Sequence, residues 1–297
     1  MAFRISLICP PPPSSLESNE GKCLVDSELK RHIQDFLANY VAITDGYAYG
    51  GVIPELSRGY AWNICYHFFQ SNFEGLTAEN PKQNLILQAS AELSSYLAHF
   101  GMYTQGPRLI NFNKHIFYWV ISDLMECARS LGITQSQDKF TAEQVAQLIK
   151  QARQSLEKTC KLSGYSIRIT DTLVSKILLG IFACTPAIDQ HFKRAMKVLH
   201  QQGYTSPLIA FPTFSGECDS ENTGVSSTLE AFQKFYQWAY NQDVQDGISA
   251  IKPSNREEFS FSHGLNVSYP TMRKLDLFFW SLGLYLKDKQ SSHKATS

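Results

Sequence analysis

Three charged residues stand where the surrounding sequence is apolar, and such residues offer acid–base chemistry first. Asp189 sits in Pro186-Ala187-Ile188-Asp189-Gln190-His191, in the first turns of an expected helix, where the helix dipole favours a carboxylate. An ion pair with Lys193, one turn on, accounts for it structurally. A site acid at a helix N-terminus accounts for it functionally. Asp276 lies inside Leu275-Asp276-Leu277-Phe278-Phe279-Trp280. A carboxylate buried on such a helix must be paired or neutralised, so a structural hydrogen bond or a pair with Arg273 is expected, with a site acid as the alternative. Lys176 interrupts the apolar run from Leu173 to Ala183 and needs either a path to water or a carboxylate. It is expected to face Asp189 or Asp276, and a Lys–Asp pair between packed helices is a candidate site. Asp189, Lys176 and Asp276 are therefore the candidate catalytic residues.

Beside them, Lys193, Arg194 and Lys197 are the candidate nucleic-acid contacts. Two aromatic groups at helical spacing, around Trp62, Tyr66 and Phe69 and around Phe235, Tyr236 and Trp238, read as core; a stacking groove for bases is the sharper alternative. The eight histidines are dispersed and no two of the seven cysteines show C-x-x-C spacing, so neither a metal nor another cofactor is expected. There is no Walker loop, no G-x-G-x-x-G, no G-x-S-x-G and no H-E-x-x-H.

The elements that must position these residues are helices. Ser27 to Val41 reads as the first and Tyr60 to Phe69 as the second. Asn80 is an expected N-cap for a third, with Pro81 in its first turn and Gly101 at its end. A fourth is expected from Leu109 to Leu131, with Gly132 as its stop. Thr141 and Gln144 form a capping box for a fifth, stapled by Phe140 and Val145. Leu173 to Ala183 reads as a buried helix, and Thr185-Pro186 as the cap and start of the next, which ends at Gly203. Leu208 to Phe211 is a possible short strand. Ser227 and Glu230 suggest another capping box, irregular sequence follows to Ser268, and Pro270 to Lys287 is a nearly buried final helix. The pattern predicts a mainly α, multi-helix globular bundle of about nine helices with little or no β structure. Residues 1–25 are expected to be a flexible extension, 26–289 the helical domain (possible halves 26–133 and 140–289), and 290–297 a disordered tail.

Composition bounds the partners. Lys+Arg and Asp+Glu balance at 27 each and charged residues are 18%. That argues against a general polyanion binder, which carries a basic excess, but leaves room for a local patch. No run approaches the roughly 18 apolar residues of a membrane span. Scattered cysteines read as reduced thiols, and a cytoplasmic location is expected.

Three segments, Leu93-Ser94-Ser95-Tyr96-Leu97-Ala98-His99-Phe100-Gly101-Met102, Thr170-Asp171-Thr172-Leu173-Val174-Ser175-Lys176-Ile177-Leu178-Leu179-Gly180 and Tyr269-Pro270-Thr271-Met272-Arg273-Lys274-Leu275-Asp276, together resemble a family of bacterial helical proteins that brings no assigned activity. The chain departs from that pattern after Met102, where Tyr103 to Arg108 matches only in part. A shorter stretch, Pro186-Ala187-Ile188-Asp189-Gln190-His191-Phe192-Lys193-Arg194, is similar to the helix-hairpin-helix DNA glycosylases. That resemblance implies a nucleic-acid-directed enzyme with Asp189 as its catalytic carboxylate. The Gly-rich hairpin is missing, since Tyr165 to Thr170 has no L-P-G-x-G pattern, and so is the lysine nucleophile; the backbone anchor for DNA phosphate goes with the hairpin. Two functions are thus expected from the sequence: a module binding a protein or nucleic acid, or the enzyme that the second resemblance implies.

Overall fold

The computed structural model describes residues 58–103, 115–135, 138–164, 168–201, 224–249 and 269–295, together with residues 31, 33, 34, 109, 113 and 251. Ten helices lie within these residues: α1 (Arg58–Ser71), α2 (Phe73–Thr77), α3 (Gln83–His99), α4 (Tyr118–Ser130), α5 (Ala142–Ser163), α6 (Asp171–Ile181), α7 (Gln190–Gln201), α8 (Gly224–Ala239), α9 (Gln242–Ile248) and α10 (Thr271–Ala295). No strand occurs among the described residues. The protein is a multi-helix bundle, as the apolar periodicity predicts. The N-terminal extension, most of the expected first helix and the stretch from Leu208 to Phe211 lie outside the described residues.

Local chemistry sets several helix ends. Thr141 Oγ1 accepts from the Gln144 N–H at 3.2 Å, and Gln144 Oε1 accepts from the Thr141 N–H at 3.1 Å, closing the capping box of α5. Thr170 caps α6 by accepting from the Leu173 N–H at 3.2 Å. Gly101, Gly132 and Gly164 have φ of 73°, 65° and 71° at the ends of α3, α4 and α5, the left-handed conformation that costs glycine least.

Other boundaries differ from expectation. Lys82, not Asn80, precedes α3: it is extended (φ −62°, ψ 126°), and the Leu85 and Ile86 N–H groups close on its carbonyl. α4 starts at Tyr118 rather than near Leu109. The Asn113 side chain accepts from the His115 N–H at 2.8 Å, a local turn that competes with helix. α8 begins at Gly224, so Ser227 lies inside the helix and not before it. Within the segment read as irregular, Asn241 caps α9 through the Asp243 N–H. α10 continues to Ala295, past Lys287 and through most of the expected tail, because no Gly or Pro follows Gly283 to stop it.

α4 and α5 pack side by side, α1 lies on α3, α6 runs beneath α1, α3 and α5, and α7 makes its broadest contact with α10. The buried apolar side chains form one cluster that draws on α1 to α10, from Trp62 to Phe279. Residues from both sides of 133–140 belong to it. The connection itself is tied down: the Asp138 side chain accepts from the Thr271 N–H at 2.9 Å, and Tyr240 donates its hydroxyl to the Asp138 carbonyl at 2.9 Å.

Candidate functional site

The centre of the molecule is a stretch of chain that is neither helix nor surface. Residues 182–188, between α6 and α7, are all buried. A backbone buried outside regular structure must find partners for its N–H and C=O groups elsewhere. Here side chains supply several of them. Asp276 Oδ1 accepts from the Ala187 N–H at 2.9 Å. Ser175 Oγ accepts from the Ile188 N–H, and Thr172 Oγ1 donates to the Ile188 carbonyl, both at 2.8 Å. The Tyr236 hydroxyl donates to the Cys184 carbonyl. α6, α8 and α10 each reach inward to hold this segment, and Ala183 enters it at φ 48°, a conformation uncommon for a residue with a Cβ.

Asp276 is 8% exposed. Its other oxygen pairs with Arg273 Nη1 at 2.6 Å. Arg273, 2% exposed, lies over the ring of Trp62 at 4.6 Å and near that of Tyr269 at 5.8 Å. Burial pushes the Asp276 carboxyl above its ordinary range. The Arg273 charge, the Ala187 N–H and Lys176 oppose that rise, while the Asp189 charge adds to it. Lys176 is 6% exposed, donates to the Phe100 carbonyl at 3.4 Å and stands 5.3 Å from the Phe100 ring centroid. Tyr96 lies close by and feels the charges of Asp276, Arg273 and Asp189; burial raises its hydroxyl pKa most. Lys176, Asp189 and Asp276 therefore share one neighbourhood, but Asp276 takes Arg273 as its ion partner.

Asp189 is the N-cap of α7. Its Oδ1 accepts from the His191 N–H at 2.9 Å and the Phe192 N–H at 3.0 Å. The helix thus starts four residues after Thr185-Pro186, which stay in the buried segment; the Thr185 hydroxyl donates to the Pro186 carbonyl at 3.3 Å. Asp189 and Lys193 are joined through backbone, the Lys193 N–H reaching the Asp189 carbonyl at 3.1 Å, and not by the side-chain ion pair that their spacing suggests. Lys193 and Lys197 are exposed on α7. Arg194 is half-buried and donates to the Gly283 carbonyl of α10 at 3.0 Å. Sequence reasoning missed Ser175, Thr172 and Tyr236 as holders of the central segment. Nothing local marks them, because their partners lie on other elements.

The described surface also carries a groove of about 480 Å³ between the start of α5 and α8, lined by Ala142, Glu143, Gln233, Tyr236, Gln237 and Tyr240. Gln233 donates to the Glu143 carboxylate at 2.7 Å and holds its pKa below the ordinary value. None of the residues predicted as catalytic lines it. Among the described residues no group of His, Cys, Asp or Glu has metal-holding geometry, and no helix is long and apolar enough to cross a membrane. Neither a protein-family model, nor a curated protein, nor a solved structure matches the chain.

Proposed function

We propose that this chain is a non-catalytic helical module that binds a protein partner. The observation that carries the reading is the commitment of its polar candidates to the fold. Asp276 holds Arg273 and the Ala187 N–H, Asp189 caps α7, and Arg194 holds the Gly283 carbonyl. A carboxylate sealed in this way meets no substrate, and a capping carboxylate that leaves its helix gives up about 1 kcal/mol. The groove between α5 and α8 suits a peptide segment, with two glutamine amides, one carboxylate and two tyrosines on its walls. A protein is favoured over nucleic acid because positive and negative charges balance over the chain. We read the location as cytoplasmic, since the described cysteines Cys65, Cys127, Cys160 and Cys184 are unpaired thiols, and the origin as bacterial, on the resemblance of the three segments.

The test is affinity purification of the full chain from lysate of the source cells, with and without nuclease treatment, beside a Gln233→Arg/Gln237→Arg variant. A defined protein partner retained by the wild type and lost by the groove variant is the expected result. Nuclease-sensitive recovery of nucleic acid, abolished by Lys193→Glu/Lys197→Glu, would overturn it. That outcome would favour a nucleic-acid-directed role with Asp189 at its centre.

A further inference from the structure

Among the described residues, the groove between α5 and α8 has one charged group on its walls, Glu143, beside two glutamines, two tyrosines and Ala142. Glu143 stands in the first turn of α5, where the helix dipole favours a negative charge. Its carboxyl is held below the ordinary range by neutral donors: first the Gln233 amide across the groove, then its own backbone N–H and the Thr141 hydroxyl. The Gln233 contact measures 2.7 Å. Among the described residues no lysine, arginine or histidine forms an ion pair with Glu143. The carboxylate is thus oriented by neutral groups and keeps its charge. A carboxylate has about four acceptor sites, so room remains for a further donor.

The two tyrosines are fixed as well. Tyr236 commits its hydroxyl to the Cys184 carbonyl. Tyr240 donates its hydroxyl to the Asp138 carbonyl at 2.9 Å and accepts from the Phe140 N–H at 3.2 Å. The rings, with centroids 6.0 Å apart, are therefore held by their hydroxyl ends. An aromatic wall beside a carboxylate suits a cation, which is drawn to the ring face as well as to the charge. The Lys139 ammonium, from outside the groove lining, stands 6.0 Å from the Tyr240 ring centroid, at the outer limit of that attraction.

We propose that this groove selects its peptide by a lysine or arginine side chain, the cation bonding to Glu143 and lying against the tyrosine rings. This selectivity rests on the groove being the docking site for a protein partner. Its cause is desolvation. A segment that docks here covers Glu143, and a covered carboxylate without a matching donor costs binding energy. An apolar side chain leaves the charge stranded, and an acidic side chain or a phosphate repels it. A charge-assisted bond from an ammonium or guanidinium group offsets the loss of water. The glutamines suit the backbone of such a segment. Gln233 and Gln237 are one turn apart on α8, about 6 Å along the axis. That is close to the roughly 6.6 Å at which an extended chain repeats its same-facing groups.

The experiment is selection of random phage-displayed peptides on the immobilised full chain, followed by Kd measurement of enriched peptides by fluorescence anisotropy. Lys or Arg is expected to be enriched at one fixed position, and the Gln233→Arg/Gln237→Arg variant, whose groove is blocked, should lose these peptides. Changing that basic residue of the peptide to glutamine, or Glu143→Gln in the protein, should each weaken binding by roughly fivefold, the upper end for an exposed pair. The two changes together should weaken it little more than either alone. Glu143→Lys should turn the enrichment to Asp or Glu. Peptides that need the groove but show no basic preference, or that bind Glu143→Gln as tightly as wild type, overturn the selectivity and leave the docking site standing. Peptides that bind the blocked variant equally well, or a selection that enriches none, overturn both. Circular dichroism of each variant separates loss of binding from loss of fold.

Discussion

Asp276 holds two groups that cannot reach water: the Arg273 guanidinium and the Ala187 N–H. Replacing it with alanine leaves a buried cation and a buried donor without partners. We expect Asp276→Ala to destabilise the fold by about 3–5 kcal/mol, read as a lower midpoint in urea denaturation. The same residue gives a pH dependence of definite sign. Its pKa is raised in the folded chain above the ordinary 3.8. The folded state therefore binds its proton more tightly than the unfolded state does. Its contribution to stability is full below that ordinary value and is lost as pH rises through the higher folded value. The stability difference between wild type and Asp276→Asn should accordingly shrink as pH rises from the ordinary value toward neutrality. Denaturation midpoints of both proteins along a pH series check this; a difference that grows in that window contradicts it. The pairing of Asp276 with Arg273 was legible in the sequence because the two stand one turn apart. The bond to Ala187 was not, because it joins positions that only the packing of α10 brings together.

At the scale of elements, a single glycine sets how near α7 lies to α10. A Cβ built on Gly283 would fall on the His191 carbonyl, so only glycine lets the start of α7 lie this near. Arg194 bonds to the Gly283 carbonyl and fixes the same contact from the other side. Gly283→Ala gains helix propensity in isolation, but here it must push two backbones apart. We expect a net loss of about 1–3 kcal/mol, visible as a lower thermal midpoint with helix content unchanged. Where element ends depend on local chemistry, the sequence reads well. The Thr141–Gln144 box and the stops at Gly101 and Gly132 are found in place. Where they depend on what lies across the core, it misleads. Thr185-Pro186 has the residues of a helix start, yet the chain stays irregular to Ile188 because Asp276, Ser175, Thr172 and Tyr236 satisfy it there. Asp189 then caps the helix with a side chain that the sequence offered to chemistry or to Lys193.

The whole molecule is knit across its middle. The apolar cluster has members on both sides of residues 133–140, and Asp138 and Phe140 bond to Thr271 and Tyr240. The two possible halves in the sequence are thus joined by their interior as well as by their connection. A single cooperative unfolding transition is expected, with near-ultraviolet and far-ultraviolet dichroism changing together. Two separated transitions would show that the halves are independent. Composition and periodicity foretold the helical class because burial along a helix leaves a regular mark. The packing of the Lys158 ammonium over the Trp119 ring, 5.3 Å from its centroid, left none, since Lys158 and Trp119 come from different helices.

The side chains that hold residues 182–188 also set a clock on that segment. An amide proton bonded to a helix carbonyl exchanges with solvent deuterium only when the helix opens. Those of Ala187 and Ile188 are bonded to Asp276 and Ser175 instead, so each waits on a different helix to move away. In deuterium oxide these two non-helical amides should persist as long as those in the middle of α6. Asp276→Ala and Ser175→Ala each remove one acceptor, and should then shorten the lifetime of the Ala187 and of the Ile188 amide respectively, relative to the other.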